Sequence, residues 1–506
     1  MALRLQDTFN RFDLDAHPTY FAGITKETLA ALLQANRRSE LIQLAVGGFL
    51  TFIVAGDTSD VALSRSTRER FLRRLVVEMH VEKRTFDQAA LVSRVKEFAA
   101  KHDFDIDPLT FIQGFVDQGI MHFERDRVHI SLSFIESYLL AAELAADPAL
   151  AARYFDLDDL HFDLATFDLY AEIGAAPAFV DSVFAKLAAS TAALALKKDE
   201  DHILLGESIS PPNIRNPGRT KALRARLKNA AEAVRDGIDA SKEKQELLDL
   251  GERIREASGR TRRKIRGHEE GEKQPDDGFK PLSDASLHWV VATVLLGSGA
   301  EHLDADVKRR LSSAIVTGAS RLIDEWSRAQ QEIDFDAIKK ELTTPEALAD
   351  LPGPEDPEEK LRFIDAIIDI LEYVAMADPM RRVLGIMYEQ ARQRVLATSV
   401  AGSPPNGPME SIVHGTWLAD IDVARGRGPL KEAIKKLPRA TFLRITLASH
   451  YLARVYWNHW RKDDRLVLLD VAEYAIQPIE YSINKAELMR MVKRDGDKSS
   501  PTQATE

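Results

Sequence analysis

The stretch DRVHISLSFIESYLLAAELAADP, Asp126 to Pro148, changes period within a few residues. Up to about Leu132 polar and apolar side chains alternate, as on a strand. From Phe134 apolar residues recur every three or four positions, as on a helix. With no linker between the two rhythms, a short hairpin must run directly into an Ala-rich buried helix. Upstream, TFDQAALVSRVKEFAAKHDFDIDPLTFIQGFVDQGIMHFERDRVHISL reads as helix, turn, helix and a hairpin tipped by Arg125-Asp126. That order predicts a winged helix.

The remaining periodicity predicts a mainly α chain. Leu361, Ile364, Ile368, Leu371 and Ala375 form one stripe; Val307, Leu311, Ile315, Leu322 and Trp326 form another; Phe442, Ile445, Ala448, Leu452 and Val455 form a third. Asp-Pro pairs at Asp107-Pro108, Asp147-Pro148, Asp356-Pro357 and Asp378-Pro379 predict four helix starts, since Asp caps well and Pro suits the first helical position. Glu359 sits where a capping box wants its acid. Strand-like alternation is confined to VALS near Val61 and to the pair IMHFE and RVHISL. No fixed-period repeat occurs, so the helices should form an irregular, solenoid-like array. Breakers in Glu207–Thr220 and the acidic His268–Phe279 predict two linkers around a charged helical segment. The expected organisation is a helical subdomain over 1–85, a winged-helix-like domain with a small β-hairpin over 86–146 and a helical connector over 147–210. A charged helical hairpin (211–280), a C-terminal helical domain (281–492) and a disordered tail (493–506) follow.

At 506 residues the chain exceeds one compact core. A net charge of -11 argues against a globally basic nucleic-acid binder. The chain has no cysteine, which removes disulfides, zinc–thiolate sites, iron–sulfur clusters and cysteine nucleophiles, and fits a reducing, cytoplasmic setting. The N-terminal MALRLQDTFNRFDLD lacks the apolar core of a signal peptide. The longest apolar run, Leu41 to Gly56, falls short of the roughly 20 residues of a spanning helix. It predicts a buried helix leading into a strand, and no membrane partner.

Motifs for chemistry are missing. No Gly-x4-Gly-Lys-Ser/Thr, GxGxxG, GxSxG or HExxH occurs, so neither a catalytic residue, a cofactor nor a metal is expected. His450 and His459 stand too far apart on a helix to share a metal. Asp156, Asp158, Asp159 and Asp163 crowd together, but His161 and Phe167 occupy the places where a calcium loop needs Gly and Glu. Phe155, Leu157, Phe162, Leu164 and Phe167 between them predict helix starts that tuck apolar residues under an acidic surface. Two basic clusters could neutralise phosphates: one around Arg219, Arg224 and Arg226, the other at Arg260, Arg262, Arg263, Lys264 and Arg266. The second helix of the winged helix, Pro108 to Gln118, carries Asp107, Thr110, Gln113 and Asp117 and no positive charge. A helix that reads a major groove needs Arg, Lys or Asn there. This winged helix should therefore be a protein–protein or intramolecular module.

The segment GFVDQGIMHFERDRVHISLSFIESYLLAAELA resembles the winged-helix end of STAND-class regulatory ATPases, particularly NACHT-like bacterial members. Ser133, Phe134, Glu136, Tyr138, Leu139 and Ala141 or Ala142 fit the family phrase, with Ser137 inserted. The family's nucleotide-sensing histidine corresponds to Ser131, and His129 is offset by two. The family's P-loop domain has no counterpart in this sequence. The resemblance implies a regulatory half made of winged helix and helical sensor, a separately encoded or upstream ATPase or effector as protein partner, and a role in antiviral defence signalling.

The resulting expectation is a non-catalytic interaction protein. Its candidate protein contacts are Tyr451, Arg454, Tyr456, Trp457, Trp460 and Arg461, since aromatics and Arg dominate binding hot spots. The alternative is a nucleic-acid-binding regulator that uses the basic helices between 215 and 266. An enzyme is the weakest reading, because no spacing converges ionisable side chains.

Overall fold

A computed structural model describes residues 37–56, 63–159, 161–194, 202–205, 217–236, 280–350, 356–390, 394–437, 441–454 and 462–477. Within them the chain is mainly α, with one two-stranded antiparallel sheet. It divides into two compact units, Met1–Val183 with Ser298–Leu303, and Phe184–Gly297 with Asp304–Glu506.

In the first unit, α1 (Arg38–Gly56) and α2 (Arg65–His80) precede α3 (Gln88–His102) and α4 (Pro108–Asp117). The hairpin follows as β1 (Met121–Glu124) and β2 (Arg127–Ile130), and only Ser131 and Leu132 separate it from α5 (Ser133–Ala146). Helices α6 (Pro148–Tyr154), α7 (Leu164–Gly174) and α8 (Pro177–Ala193) come next, the unit boundary falling within α8. The apolar run at Leu41 is helical to its end, which corrects the expected strand. Leu41, Ile42, Val46, Phe49, Leu50 and Ile53 are all buried, and a helix with apolar residues on several faces is stabilised by burial whatever its β-branched content. Among the described residues, no helix is long and apolar enough to cross a membrane. Of the expected strand VALS, Val61 and Ala62 lie outside the described residues; Leu63 and Ser64 are irregular, and Ser64 caps α2.

The winged helix closes on itself. Strands β1 and β2 pair from Met121↔Ile130 to Glu124↔Arg127. Val128 N–H donates to the Phe86 carbonyl (2.8 Å), so the α2–α3 connection supplies a third, strand-like edge. Phe71, Phe98, Phe111 and Phe115 form the core, with edge-to-face pairs at 5.1–5.4 Å. Each such ring contributes roughly 1.5–3 kcal/mol by leaving water. Gly114 of α4 faces α1, where a Cβ would stand 3.0 Å from Ile53. Helix α5 packs on α1, α2, α6 and α7, with Tyr138, Leu139, Leu140 and Ala141 buried. The hairpin-to-helix junction is scaffolding.

In the second unit, the 3₁₀ turn Ile203–Leu205 precedes α9 (Pro217–Asp236), so the segment expected as a loop to Thr220 is already helical from Pro217. After α10 (Lys280–Ser298) come α11 (Ala305–Gln331), α12 (Phe335–Leu342), α13 (Pro345–Asp350) and α14 (Pro357–Gln390). A 3₁₀ turn (Arg394–Leu396), α15 (Ala397–Ala401), α16 (Pro408–Ile421), α17 (Val423–Lys436), α18 (Thr441–Arg454) and a helix over 462–477 complete it. Three of the four Asp-Pro starts hold: the carboxylates of Asp107, Asp147 and Asp356 accept from the first-turn N–H groups of α4, α6 and α14. The fourth does not. Helix α14 runs 34 residues straight through Pro379. Proline inside a helix costs about 3 kcal/mol. Burial of Met376, Met380, Val383, Leu384, Ile386 and Met387 around it offsets that cost, at roughly 1.5–3 kcal/mol per large side chain. The predicted linker 268–279 and the tail 493–506 lie outside the described residues.

Candidate interaction surface of the winged helix

Helix α4 has a buried and an exposed side. Phe111, Ile112 and Phe115 point into the core, while Leu109, Thr110, Gln113 and Asp117 face solvent. Asp107 fixes its start. One carboxylate oxygen accepts from Thr110 N–H (2.8 Å) and from the Thr110 hydroxyl (2.6 Å), and these bonds hold the Asp107 carboxyl below its usual range. Gln113 donates to Asp117 (2.6 Å), and Asp103, Asp105 and Asp107 precede the helix, all exposed. The helix that would enter a groove thus offers carboxylates and one large apolar side chain: Leu109 is 55% exposed.

On the hairpin, Phe123 is 37% exposed. Arg125 and Asp126 both adopt positive φ (49° and 60°), the left-handed pair that a two-residue hairpin turn requires. Cross-strand His122 and His129 stack with centroids 5.6 Å apart, and His122 Nδ1 lies 3.2 Å from the Ser131 hydroxyl. His129 therefore belongs to a surface ring pair. Sequence reasoning about this face named its polar residues and missed Leu109 and Phe123. Leu109 was findable, because it sits well off the direction of Phe111, Ile112 and Phe115 on a helical wheel.

Behind the hairpin, His80 Nε2 stands 2.7 Å from Glu136 Oε1, joining α2 to the first turn of α5. Glu136 thus holds helices together, and Tyr138 is buried in the core. At the far end, Glu172 accepts from the N–H groups of Arg38 (2.9 Å) and Ser39 (2.8 Å), the orphan donors of α1. Burial, then the nearby Asp168 charge, pushes the Glu172 carboxyl up to about 7.

The other candidate residues fall differently. Tyr451 and Arg454 are core, at 0% and 1% exposure, which corrects their expected place on a contact surface. Arg454 pairs with buried Asp420, donates to the Leu384 carbonyl (2.8 Å) and lies over the Tyr388 ring (4.3 Å). Tyr451 donates to the Thr416 hydroxyl (2.9 Å). Burial outweighs the Arg454 charge and raises the Asp420 carboxyl to about 6. Tyr456, Trp457, Trp460 and Arg461 lie outside the described residues, as do His459 and Arg260, Arg262, Arg263, Lys264 and Arg266. In α9, Leu227, Ala230 and Val234 are buried, Arg226 and Lys228 are exposed, and Arg224 is half-buried; Arg219 lies in the first turn of the helix.

The crowded acids near Asp156 are turn and cap residues. Asp156 and Asp159 accept from the N–H groups of Asp158 and His161, and Asp163 caps α7. Phe155, Leu157, Phe162, Leu164 and Phe167 are buried beneath them, as the spacing predicts. Among the described residues, no group of three or more His, Asp or Glu side chains is placed to hold a metal. No known family, curated protein or solved structure matches the chain.

Proposed function

We propose that this chain is a non-catalytic regulatory protein of the STAND/NACHT-like kind, whose winged helix docks on a protein and transmits that contact through α5. The partner is a separately encoded or upstream ATPase or effector, the helical array senses a trigger, and the setting is cytoplasmic antiviral defence. One observation carries the protein-docking reading: the outward face of α4 combines Leu109 with the carboxylates of Asp107 and Asp117, and the helix has no Arg or Lys. Against a phosphate about 4 Å away each carboxylate costs about 1–4 kcal/mol, depending on local dielectric. Against protein, Leu109 and Phe123 supply the apolar contact that interface centres use.

A second reading has one observation in its favour. Helix α9 turns Arg226 and Lys228 outward over an apolar underside, and the basic cluster from Arg260 to Arg266 follows in sequence. Retention of the full chain on heparin and on duplex DNA, at roughly 50 mM salt where phosphate contacts are strong, separates the two. The docking reading expects flow-through. Retention lost on neutralising Arg260, Arg262, Arg263, Lys264 and Arg266 would move the function to nucleic acid. Retention lost on Arg125→Glu and Arg127→Glu would overturn the docking reading for the winged helix itself.

A further inference from the structure

Among the described residues of the second unit, exposed large apolar side chains gather just before and on α12 and on the first half of α14. Ile333 and Ile338 are 39% and 38% exposed, and α12 buries none of its residues. On α14, Phe363, Ile370, Leu371 and Val374 are 47%, 51%, 46% and 41% exposed. Monomers leave single apolar side chains in water routinely, but a contiguous group of this kind marks a contact surface. Lys339 and Asp365 bridge α12 to α14 (2.8 Å) and hold the group together.

The spacing says what kind of surface it is. Phe363, Ile367, Ile370 and Val374 recur at intervals of four, three and four, the seam of a two-helix coil. Ile364 and Ile368, on the adjoining face, are buried. The seam is also self-complementary. When two copies of α14 run antiparallel about a two-fold axis between Ile367 and Ile370, the large Phe363 meets the small Val374 and Ile367 meets Ile370, twice each. The flanking positions are Ile364 and Leu371 on one edge and Ala366 and Tyr373 on the other, so no like charges face each other.

We infer that α14 is a homodimerisation helix and that its partner is a second copy of this chain, paired antiparallel. A closed two-fold contact is the commonest way for identical chains to associate. Four layers span about 17 Å of helix. So short a seam is expected to give a reversible dimer. This surface is distinct from the winged helix and does not rest on its proposed role.

Sedimentation velocity of the full chain from roughly 1 to 100 µM, the range in which a small interface saturates, should show a monomer–dimer equilibrium. Ile370→Asp should weaken it at least tenfold, and Phe363→Asp should do the same if the first variant folds poorly by circular dichroism. Leu109→Asp should leave it unchanged. The chain has no cysteine, so single cysteines report orientation cleanly. Chains carrying Ile367→Cys and Ile370→Cys should form a mixed disulfide, and Phe363→Cys should not cross-link to itself. A monomer at every concentration, a dimer indifferent to both Asp variants, or a Phe363→Cys self-cross-link would each overturn the inference. A monomer in which Ile370→Cys is slow to label would also overturn it, because the face would then be covered within the chain.

Discussion

The winged helix and the C-terminal array are both helical, yet they settle their polar groups in opposite ways. In the winged helix Asp87 and Asp107 work locally and at the surface: each caps the helix that begins one residue later. In the array, charge lies inside. Arg454 reaches Asp420 and the Leu384 carbonyl, 70 residues back in sequence. Ile203 N–H is held by buried Asp324, 121 residues on. Arg444 is 5% exposed and donates to the carbonyls of Ile434 and Leu437 at the end of α17. The difference teaches where specificity sits. Around α4 the acids stay outside as caps and surface charge, while in the array buried charges fix one arrangement of the helices.

The harshest way to break this comparison is to strand an interior charge. Arg454→Ala should cost about 3–5 kcal/mol, because it leaves Asp420 buried without its cation. Arg454→Leu combined with Asp420→Leu should cost less than either single change, and urea unfolding of the three variants checks the order. Next comes a buried carboxylate of the first unit that acts at long range. Glu172 titrates at about 7 against an ordinary 4.5, so the folded chain holds its proton more tightly than the unfolded chain. Its contribution to stability therefore falls as pH rises from about 4.5 to about 7 and is flat above. The total is on the order of 3 kcal/mol, and Glu172→Gln should flatten that slope in unfolding midpoints measured from pH 5 to 8.

A local cap should matter less. Asp107→Ala should lower stability by about 1 kcal/mol, the usual loss when a capping carboxylate is removed. Asparagine is a partial rescue, since its amide oxygen can still accept from Thr110 N–H. Smallest, and opposite in sign, is the hairpin tip. Arg125→Asn with Asp126→Gly should raise the melting temperature, worth about 0.5–1 kcal/mol, because those residues adopt the left-handed turn with little strain. A loss there would mean that the Arg125 side chain makes a contact worth more than the strain.

The same contrast explains what could be read from the sequence. Helix order, the hairpin with its Arg125-Asp126 tip and three Asp-Pro starts are encoded within a few residues, and periodicity and capping chemistry report them. Asp378-Pro379 misled because its local preference is outweighed by packing that only the folded unit supplies. The run from Leu41 misled because a helix buried on several faces has no period to distinguish it from a buried strand. Tyr451 and Arg454 have the composition of a hot spot and the surroundings of a core, and nothing in their spacing announces Asp420 or Thr416 as partners. Glu172 as the cap of α1 could not be read at all, since its donors lie more than 130 residues away.

Central to the account is a winged helix whose outward face meets protein. A photo-crosslinking amino acid placed at Leu109, with Lys101 as a control site on a neighbouring helix, tests this in the native cell. The account predicts a discrete protein adduct at Leu109, absent at Lys101, that contains a nucleotide-binding ATPase or its effector. An adduct with nucleic acid at Leu109, or identical products at both positions, would contradict it.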